Sequence, residues 1–408
     1  MRTDPPFSRW MVVGLCFLSQ NMAIGFTFGS FGPLLVSTEA QFGISRSAAT
    51  MGMSVLNLAL GGLAPLLGGL VQKFPIRYTM SAGALISAVG YLGLSMLTYY
   101  PLSLAMFVLV GAGVSLCGVI GPLTLISRWF PTGRATALSI VNLPVALLLT
   151  PYIVGATLPD YGRSAILAAA AAIFIVLAAV FLLLRDHPQT SALLSRSRDN
   201  RADGSPHEPT LSARDILSSR PFWLVSLAMG LMAGTGTIFV VHIVPFGLGN
   251  GMDIQTASKL LSLYAGAGLL GVLLYGRVAD WIGPVNAFVS TSFFQMVLWS
   301  ALLVADTRSL FILSALMGVM QVPMSTLHGA ALGRLIPVSS ISRAMGLSYA
   351  IKLPFTFSFA VGAALVFEMS GSYVLPFALT TGLVAICCGL FLAVSLDLRA
   401  KPVMARTS

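Results

Sequence analysis

Long apolar runs separated by short polar clusters repeat from one end of the chain to the other. Windows of about 20 apolar residues, the length of helix that crosses a hydrocarbon core of about 30 Å, fall at 10–37, 46–72, 78–98, 102–127, 135–157 and 163–184. After one interruption they resume at 221–247, 256–280, 285–304, 309–334, 343–368 and 372–396. The pattern predicts an all-α integral membrane protein of twelve transmembrane helices, with no strand and no aqueous domain. Pro33, Pro65, Pro144, Pro151, Pro245, Pro323 and Pro354 fall inside these runs and mark expected kinks.

The interruption, residues 185–220, is polar, rich in Ser and Arg, and carries Pro188, Pro206 and Pro209. It reads as a flexible cytoplasmic linker with a short surface helix near Leu211–Leu217. The expected domains are a six-helix bundle over 1–184, the linker over 185–220, and a second six-helix bundle over 221–408.

Composition agrees. Of 408 residues 56% are hydrophobic and 9% charged, against about 25% charged in soluble domains. The net charge of +10 would suit a nucleic-acid partner, but its placement argues against one. With both termini inside, 18 of the 23 Lys and Arg fall in termini and cytoplasmic connections; Arg46, Arg163, Lys259 and Arg308 fall outside, and the last is Lys352. That bias sets orientation in a bilayer, with a bacterial inner membrane expected, rather than binding. The first apolar run is too long for a signal-peptide core and is expected to remain as helix 1. Cys16, Cys117, Cys387 and Cys388 all lie within spans, where thiols act as small apolar groups, and no spacing suggests a metal or a cofactor.

The two halves echo each other. Gly68-Gly-Leu-Val-Gln-Lys-Phe-Pro-Ile-Arg77 follows helix 2, and Gly276-Arg-Val-Ala-Asp-Trp-Ile-Gly-Pro-Val285 follows helix 8 at an offset of 208 residues. A second echo pairs Arg128…Arg134-Ala-Thr-Ala-Leu138 with Arg334…Arg343-Ala-Met-Gly-Leu347. Parallel six-helix repeats mark a transporter whose two halves rock about a central site.

This layout resembles the major facilitator superfamily along essentially the whole chain. Gly276-x-x-x-Asp280-x-x-Gly283 is similar to the family's motif after helix 8; in the helix 2 copy Gln72 replaces the acid and Pro75 the second glycine. Within the superfamily, Arg128-Trp-Phe-Pro131 with Arg134, Arg220-Pro-Phe-Trp223, and His242-Ile-Val-Pro-Phe246 resemble the branch of monocarboxylate carriers and oxalate–formate exchangers. Gly346-Leu-Ser-Tyr-Ala-Ile-Lys352 resembles that branch's helix 11 segment, whose lysine binds substrate. The resemblance implies a small organic anion as cargo, a monomer, and no enzyme activity. It departs at Val272, where the exchangers and many monocarboxylate carriers have an arginine. One cation suits one carboxylate, because each buried anionic group needs its own partner.

Lys352 carries the same message from physical chemistry alone. It is the one charge in Met345–Phe367, about 14 Å along a helix that starts near Arg343, hence near the bilayer midplane. Placing a cation there costs about 2.5–3.5 kcal/mol on insertion scales. Snorkelling serves helix ends, and no other midplane residue carries a carboxylate. Lys352 is therefore the expected partner of an anionic solute, with Tyr349 three residues before it and Ser348 four before on the same helical face. Phe355 and Phe359 extend the stripe, as pocket lining or as packing. Asn21 in helix 1, Gln321 in helix 10 and Tyr264 in helix 8 are further binding candidates, against the alternative of bonds between helices. Candidates for proton coupling are Lys352 itself, His242 and His328. Gly276, Asp280, Gly283, Arg134, Arg334 and Arg343 are expected at the cytoplasmic face as motif and gate.

The expected function is alternating-access transport of a small organic monocarboxylate, by proton symport or by exchange. An exporter of drugs or amphipathic metabolites is disfavoured by helix 5, Ser139-Ile-Val-Asn-Leu-Pro-Val-Ala-Leu-Leu-Leu-Thr-Pro151, which lacks the expected Gly-x-x-x-Gly-Pro motif. A membrane sensor would need a signalling domain. An uptake carrier for a larger aromatic acid or a siderophore-like chelate is a further alternative, given Val272 and the aromatic Phe26, Phe28 and Phe31.

Overall fold

The structure is a computed structural model that describes residues 9–130, 134–184, 211–337 and 340–400. Most of the expected linker lies outside those residues. Those described are helical between short turns, with no strand among them. In chain order the passes are α1 (Arg9–Phe42), α2 (Arg46–Gly62 and Ala64–Lys73, bent by 46°), α3 (Ile76–Met96) and α4 (Tyr100–Trp129). Next comes one 45-residue stretch, Ala137–Phe181, which holds α5 (137–161) and α6 (163–181). Then follow α7 (Arg220–Gly249), α8 (Ile254–Ile282), α9 (Pro284–Leu302), α10 (Thr307–Leu335), α11 (Arg343–Ser370) and α12 (Val374–Leu398). At ~1.5 Å per residue the 45-residue stretch would be about 68 Å long, twice a bilayer core. It is two helices joined at Gly162, whose φ of 73° and ψ of 167° break the helix where residues with a Cβ rarely go. Counting it twice and the bent pair once gives the twelve passes the hydropathy pattern predicts.

Prolines place the breaks. α2 restarts at Ala64 with Pro65 in its first turn, α5 restarts at Val145 after Pro144, and α10 restarts at Met324 after Pro323. Each lacks the N–H that a continuous helix would donate four residues back. A short helix, Ala213–Leu217, stands where the surface helix is expected, its capping box made by Ser212 and Asp215. Asp253 caps α8 through the Thr256 amide at 2.9 Å. Hydrogen bonds from the Thr256 side chain and amide hold its carboxyl below the usual carboxylate range. The cap is complete above the ordinary aspartate value and is lost as pH falls through the lowered one.

Proximity divides the chain into two compact units. The first holds Leu58–Ala146 with residues 9–27 and 160–184; the second holds Phe28–Asn57, Leu147–Pro159 and residues 211–400. In the first unit α1 and α4 each contain a π-helical turn, Asn21–Phe26 and Ser115–Ile120. The widened turns meet, with Ser19 bonded to the Cys117 carbonyl. Tyr91 of α3 bonds Thr27 at 2.7 Å and stacks on Phe174 at 5.4 Å.

Asn21 staples this unit. Its Nδ2 donates to the Phe17 carbonyl at 3.0 Å, and its Oδ1 accepts the Ala146 amide at 2.8 Å. That amide is in the first turn of the restarted α5, where helix N–H groups lack partners. The adjacent Gln20 donates to Asn142, just before the break. Both ends of the Asn21 amide are thus occupied by backbone, and the residue acts as a helix cap delivered from another helix. Asn21→Ala is expected to cost about 1 kcal/mol of stability, read as a lowered midpoint in thermal unfolding.

The second unit has an aromatic core in which Phe288 and Phe391 stack at 4.5 Å and Trp299 packs between Phe239 and Phe377. Its helices approach closely at glycines. A Cβ on Gly318 of α10 would stand 1.9 Å from the Tyr264 carbonyl of α8, and one on Gly271 of α8 2.3 Å from the Val319 carbonyl. The second contact follows from Pro323, which has no N–H for Val319. Small residues at such crossings are how membrane helices pack.

Candidate functional site

Lys352 lies on α11 two residues before Pro354, half-buried in the second unit. Its Nζ sits 4.4 Å above the Tyr349 ring. Among the described residues the ion pairs are Arg46–Glu39 at 2.8 Å and Arg220–Asp397 at 3.9 Å, so no carboxylate of those residues pairs with Lys352. Cation–π contact offsets only part of the desolvation; it contributes on the order of 1–2 kcal/mol, while placing the charge costs about 2.5–3.5. The ammonium has spare donors and faces a cavity.

That cavity, of about 240 Å³, is lined by Lys352, Gln321 and Tyr264 with Met229, Ala233, Gly236, Thr237 and Val240 of α7, Val322, Met324 and Ser325 of α10, and Phe28 of α1. Three of the five residues expected to bind substrate thus line one space. Gln321 ends the first segment of α10, two residues before Pro323. Its Nε2 donates to the Met232 carbonyl of α7 at 2.9 Å. The Tyr264 ring packs on Phe239 at 4.9 Å. At about 30 Å³ per water, the space corresponds to roughly eight waters, below the 300–1,000 Å³ typical of drug-sized ligands.

Tyr349 is the platform under Lys352 rather than a cavity-lining residue, and it is 48% exposed. Asn21 belongs to the first unit as the cap described above. Phe355 and Phe359 are packing: a Cβ on Gly230 would meet the Phe355 ring at 2.6 Å, and one on Gly234 the Phe359 ring at 2.5 Å. The α7 residues of the cavity were not anticipated from sequence. Their signal is the Gly230-x-x-x-Gly234-x-Gly236 run, which permits close approach of α11 and α10.

The two histidines differ. His242 is fully buried, with Nε2 2.9 Å from the Ala360 carbonyl and Nδ1 3.1 Å from the Tyr373 hydroxyl. A carbonyl only accepts, so Nε2 carries the proton and Nδ1 accepts from Tyr373. Tyr373 also accepts from Arg46 at 3.1 Å, and the Arg46 guanidinium lies 4.4 Å over Phe367. Nearby, Glu368 accepts the Ser47 amide at 2.6 Å and its hydroxyl at 3.0 Å, capping α2. His242 is therefore the neutral centre of a structural cluster. His328 is also fully buried; its Nε2 lies 2.9 Å from Ser348 Oγ, but its Nδ1 has no partner among the described residues. Its ring meets Tyr349 edge-on at 5.9 Å, so His328, Tyr349 and Lys352 form a contiguous row.

A larger cavity, about 550 Å³, opens near the α7–α8 and α11–α12 turns beside Arg46, Phe246, Asn250 and Tyr373. Its one cation is engaged by Glu39, which leaves no free charge for an anion.

Of the motif residues, Gly283 ends α8 with a φ of 88°, and a Cβ there would meet the Arg334 guanidinium at 3.0 Å. The helix runs on to Ile282, so Arg277 lies in its last turns. Gly276 faces open space, and Asp280 is exposed with no ion pair among the described residues. Arg343 donates to the Leu211 carbonyl, beside the Leu211 amide that donates to Ser340 at 2.7 Å. The side chain of Arg134 lies outside the described residues.

Known proteins share this architecture. The structure superposes on a bacterial homologue of the human lysosomal transporter Spinster with a TM-score of 0.78 at 12% identity, covering 97% of this chain and 99% of that one. A variant of the nucleoside transporter NupG gives 0.76 at 13%, covering 95% and 99%. In sequence, an MFS-type transporter 1 of Ophiocordyceps sp. (strain BCC 1869) is 23% identical over 91% of this chain and 81% of its own. The uncharacterized transporter YycB of Bacillus subtilis (strain 168) is 24% identical over 69% and 67%. The family model of the Major Facilitator Superfamily matches residues 17–305, more than half of the 408. That match, with the helical architecture, places the chain in that superfamily, as a multi-pass membrane transporter of a small molecule.

Proposed function

We propose that this transporter carries a small organic monocarboxylate by alternating access. The observation that supports this reading is the unpaired Lys352 on a small, otherwise uncharged cavity. A carboxylate entering there would gain a charge-assisted hydrogen bond in a poorly solvated site, where such bonds are strong. A cationic cargo would be repelled. A dicarboxylate would bring a second charge into a cavity whose lining holds Lys352 as its one cation. The volume favours a small acid over an aromatic chelate. Resemblance at 13% identity to a nucleoside transporter bears on fold alone.

For coupling, His328 is better suited than His242, whose two nitrogens are both engaged. A proton on His328 would place a second cation in the row with Lys352, and a bound anion would stabilise both. Anion and proton would thus load together, as symport requires. Exchange of one anion for another needs no such step. The count of basic residues favours an orientation with both termini cytoplasmic.

Thermal-shift measurements on the purified protein, across pH, test the reading. Monocarboxylates should stabilise it by an increment that grows with concentration, about 2.7 kcal/mol at 100 times Kd, and the best of them should move into proteoliposomes. Stabilisation by dicarboxylates or amines in their place would overturn it.

A further inference from the structure

We propose that Gln321 selects for a hydroxyl group on the cargo, so that the preferred substrate is a hydroxylated monocarboxylic acid; this rests on the carboxylate reading of Lys352. The amide of Gln321 has a fixed orientation. Its anchor across the helix interface is the Met232 carbonyl, 2.9 Å from Nε2, and a carbonyl can only accept. The nitrogen must therefore point at α7 and the oxygen away from it. Gly236 makes this possible, because a Cβ there would stand 2.4 Å from Nε2.

The oxygen is left without a partner. Gln321 Oε1 accepts no hydrogen bond among the described residues, and the residue lines the cavity with Lys352. Gln295 makes a useful contrast. It too anchors Nε2 on a carbonyl, that of Met320 at 3.1 Å, but its Oε1 is sealed in the protein without a partner. Gln321 Oε1 is not among the sealed orphan atoms. One amide closes a helix interface; the other presents an acceptor to the cavity.

The remaining polar groups leave that acceptor to the cargo. The Thr237 hydroxyl is spent on the Ala233 carbonyl at 3.0 Å, Ser325 turns toward the Val322 carbonyl at 3.5 Å, and the Tyr264 hydroxyl, also on the cavity, makes no hydrogen bond to Gln321 among the described residues. Lys352 supplies donors and Gln321 an acceptor, so the complementary molecule carries an acceptor and a donor. An ammonium would be an unsuitable donor, because like charges in a poorly solvated space repel strongly. A hydroxyl meets the requirement without charge. An acid that lacks it leaves Oε1 desolvated and unpaired, which is how polar sites reject a missing group.

Calorimetric titration of the wild-type protein with butanoate and with 2-, 3- and 4-hydroxybutanoate tests the proposal. At least one hydroxy acid should bind on the order of tenfold more tightly than butanoate. In Gln321→Leu that preference should shrink toward unity, the hydroxy acid losing more affinity than butanoate. Gly236→Ala, which displaces the amide but keeps it, should have the same effect. A wild-type protein that binds butanoate and every hydroxybutanoate alike overturns the selectivity and leaves the carboxylate site standing. So does a preference that survives Gln321→Leu unchanged. Absence of binding by the whole acid series, in a protein whose thermal unfolding is normal, overturns the carboxylate reading and this inference with it.

Discussion

Lys352→Gln is expected to abolish acid-dependent stabilisation and uptake while leaving the ligand-free protein at least as stable as the wild type. Removing one partner of a desolvated charge pair costs about 2–5 kcal/mol of binding, a loss of at least about 30-fold in affinity. The second half of the expectation separates a binding lysine from a structural one. With no carboxylate partner among the described residues and only the Tyr349 ring beneath it, the ammonium is a net cost to the empty protein. Glutamine is polar, similar in reach and uncharged, so the desolvation cost is relieved. The midpoint of ligand-free unfolding should hold or rise, and the shift produced by acids should vanish. A midpoint that falls together with acid binding would mean that Lys352 holds the helices together.

Gly318→Ala should be among the most damaging single substitutions in the second unit. The added carbon would lie 1.9 Å from the Tyr264 carbonyl, and main chain cannot rotate away as a side chain can. Overpacking ordinarily costs about 1–3 kcal/mol; with backbone as the obstacle, α8 and α10 must separate. Separation displaces Tyr264 on one helix and Gln321 on the other, both lining the cavity. Expression and thermal midpoint should therefore fall, and whatever protein survives should bind acids weakly. Gly329→Ala on the same helix is the control, since a Cβ there meets nothing within 4 Å. A benign Gly318→Ala would mean that the α8–α10 crossing is looser than described.

Hydropathy made the twelve passes legible, because a bilayer demands long apolar runs and little else. Prolines forecast the breaks at Pro65, Pro144 and Pro323, where loss of an N–H has a local consequence. Lys352 stood out for the same reason: a charge amid apolar residues is costly wherever the chain folds. Partner choice was harder to read. Asn21 and Gln321 are both amides near the middle of a span, yet one caps α5 and the other lines the cavity. That difference depends on which backbone groups α5 and α7 present, which no local pattern encodes. The same holds for His242 and His328, separated by the carbonyl and hydroxyl that happen to face them. Phe355 and Phe359 became packing residues only because Gly230 and Gly234 lie opposite.

The most direct measurement is a structure of the protein with 2-bromopropanoate bound, the bromine located by its anomalous scattering. The account predicts the halogen in the cavity beside Gln321 and Tyr264, with a carboxylate oxygen about 2.7–2.9 Å from Lys352 Nζ. A bromine peak elsewhere, with the Lys352 ammonium turned to a protein carboxylate or to lipid, would contradict it.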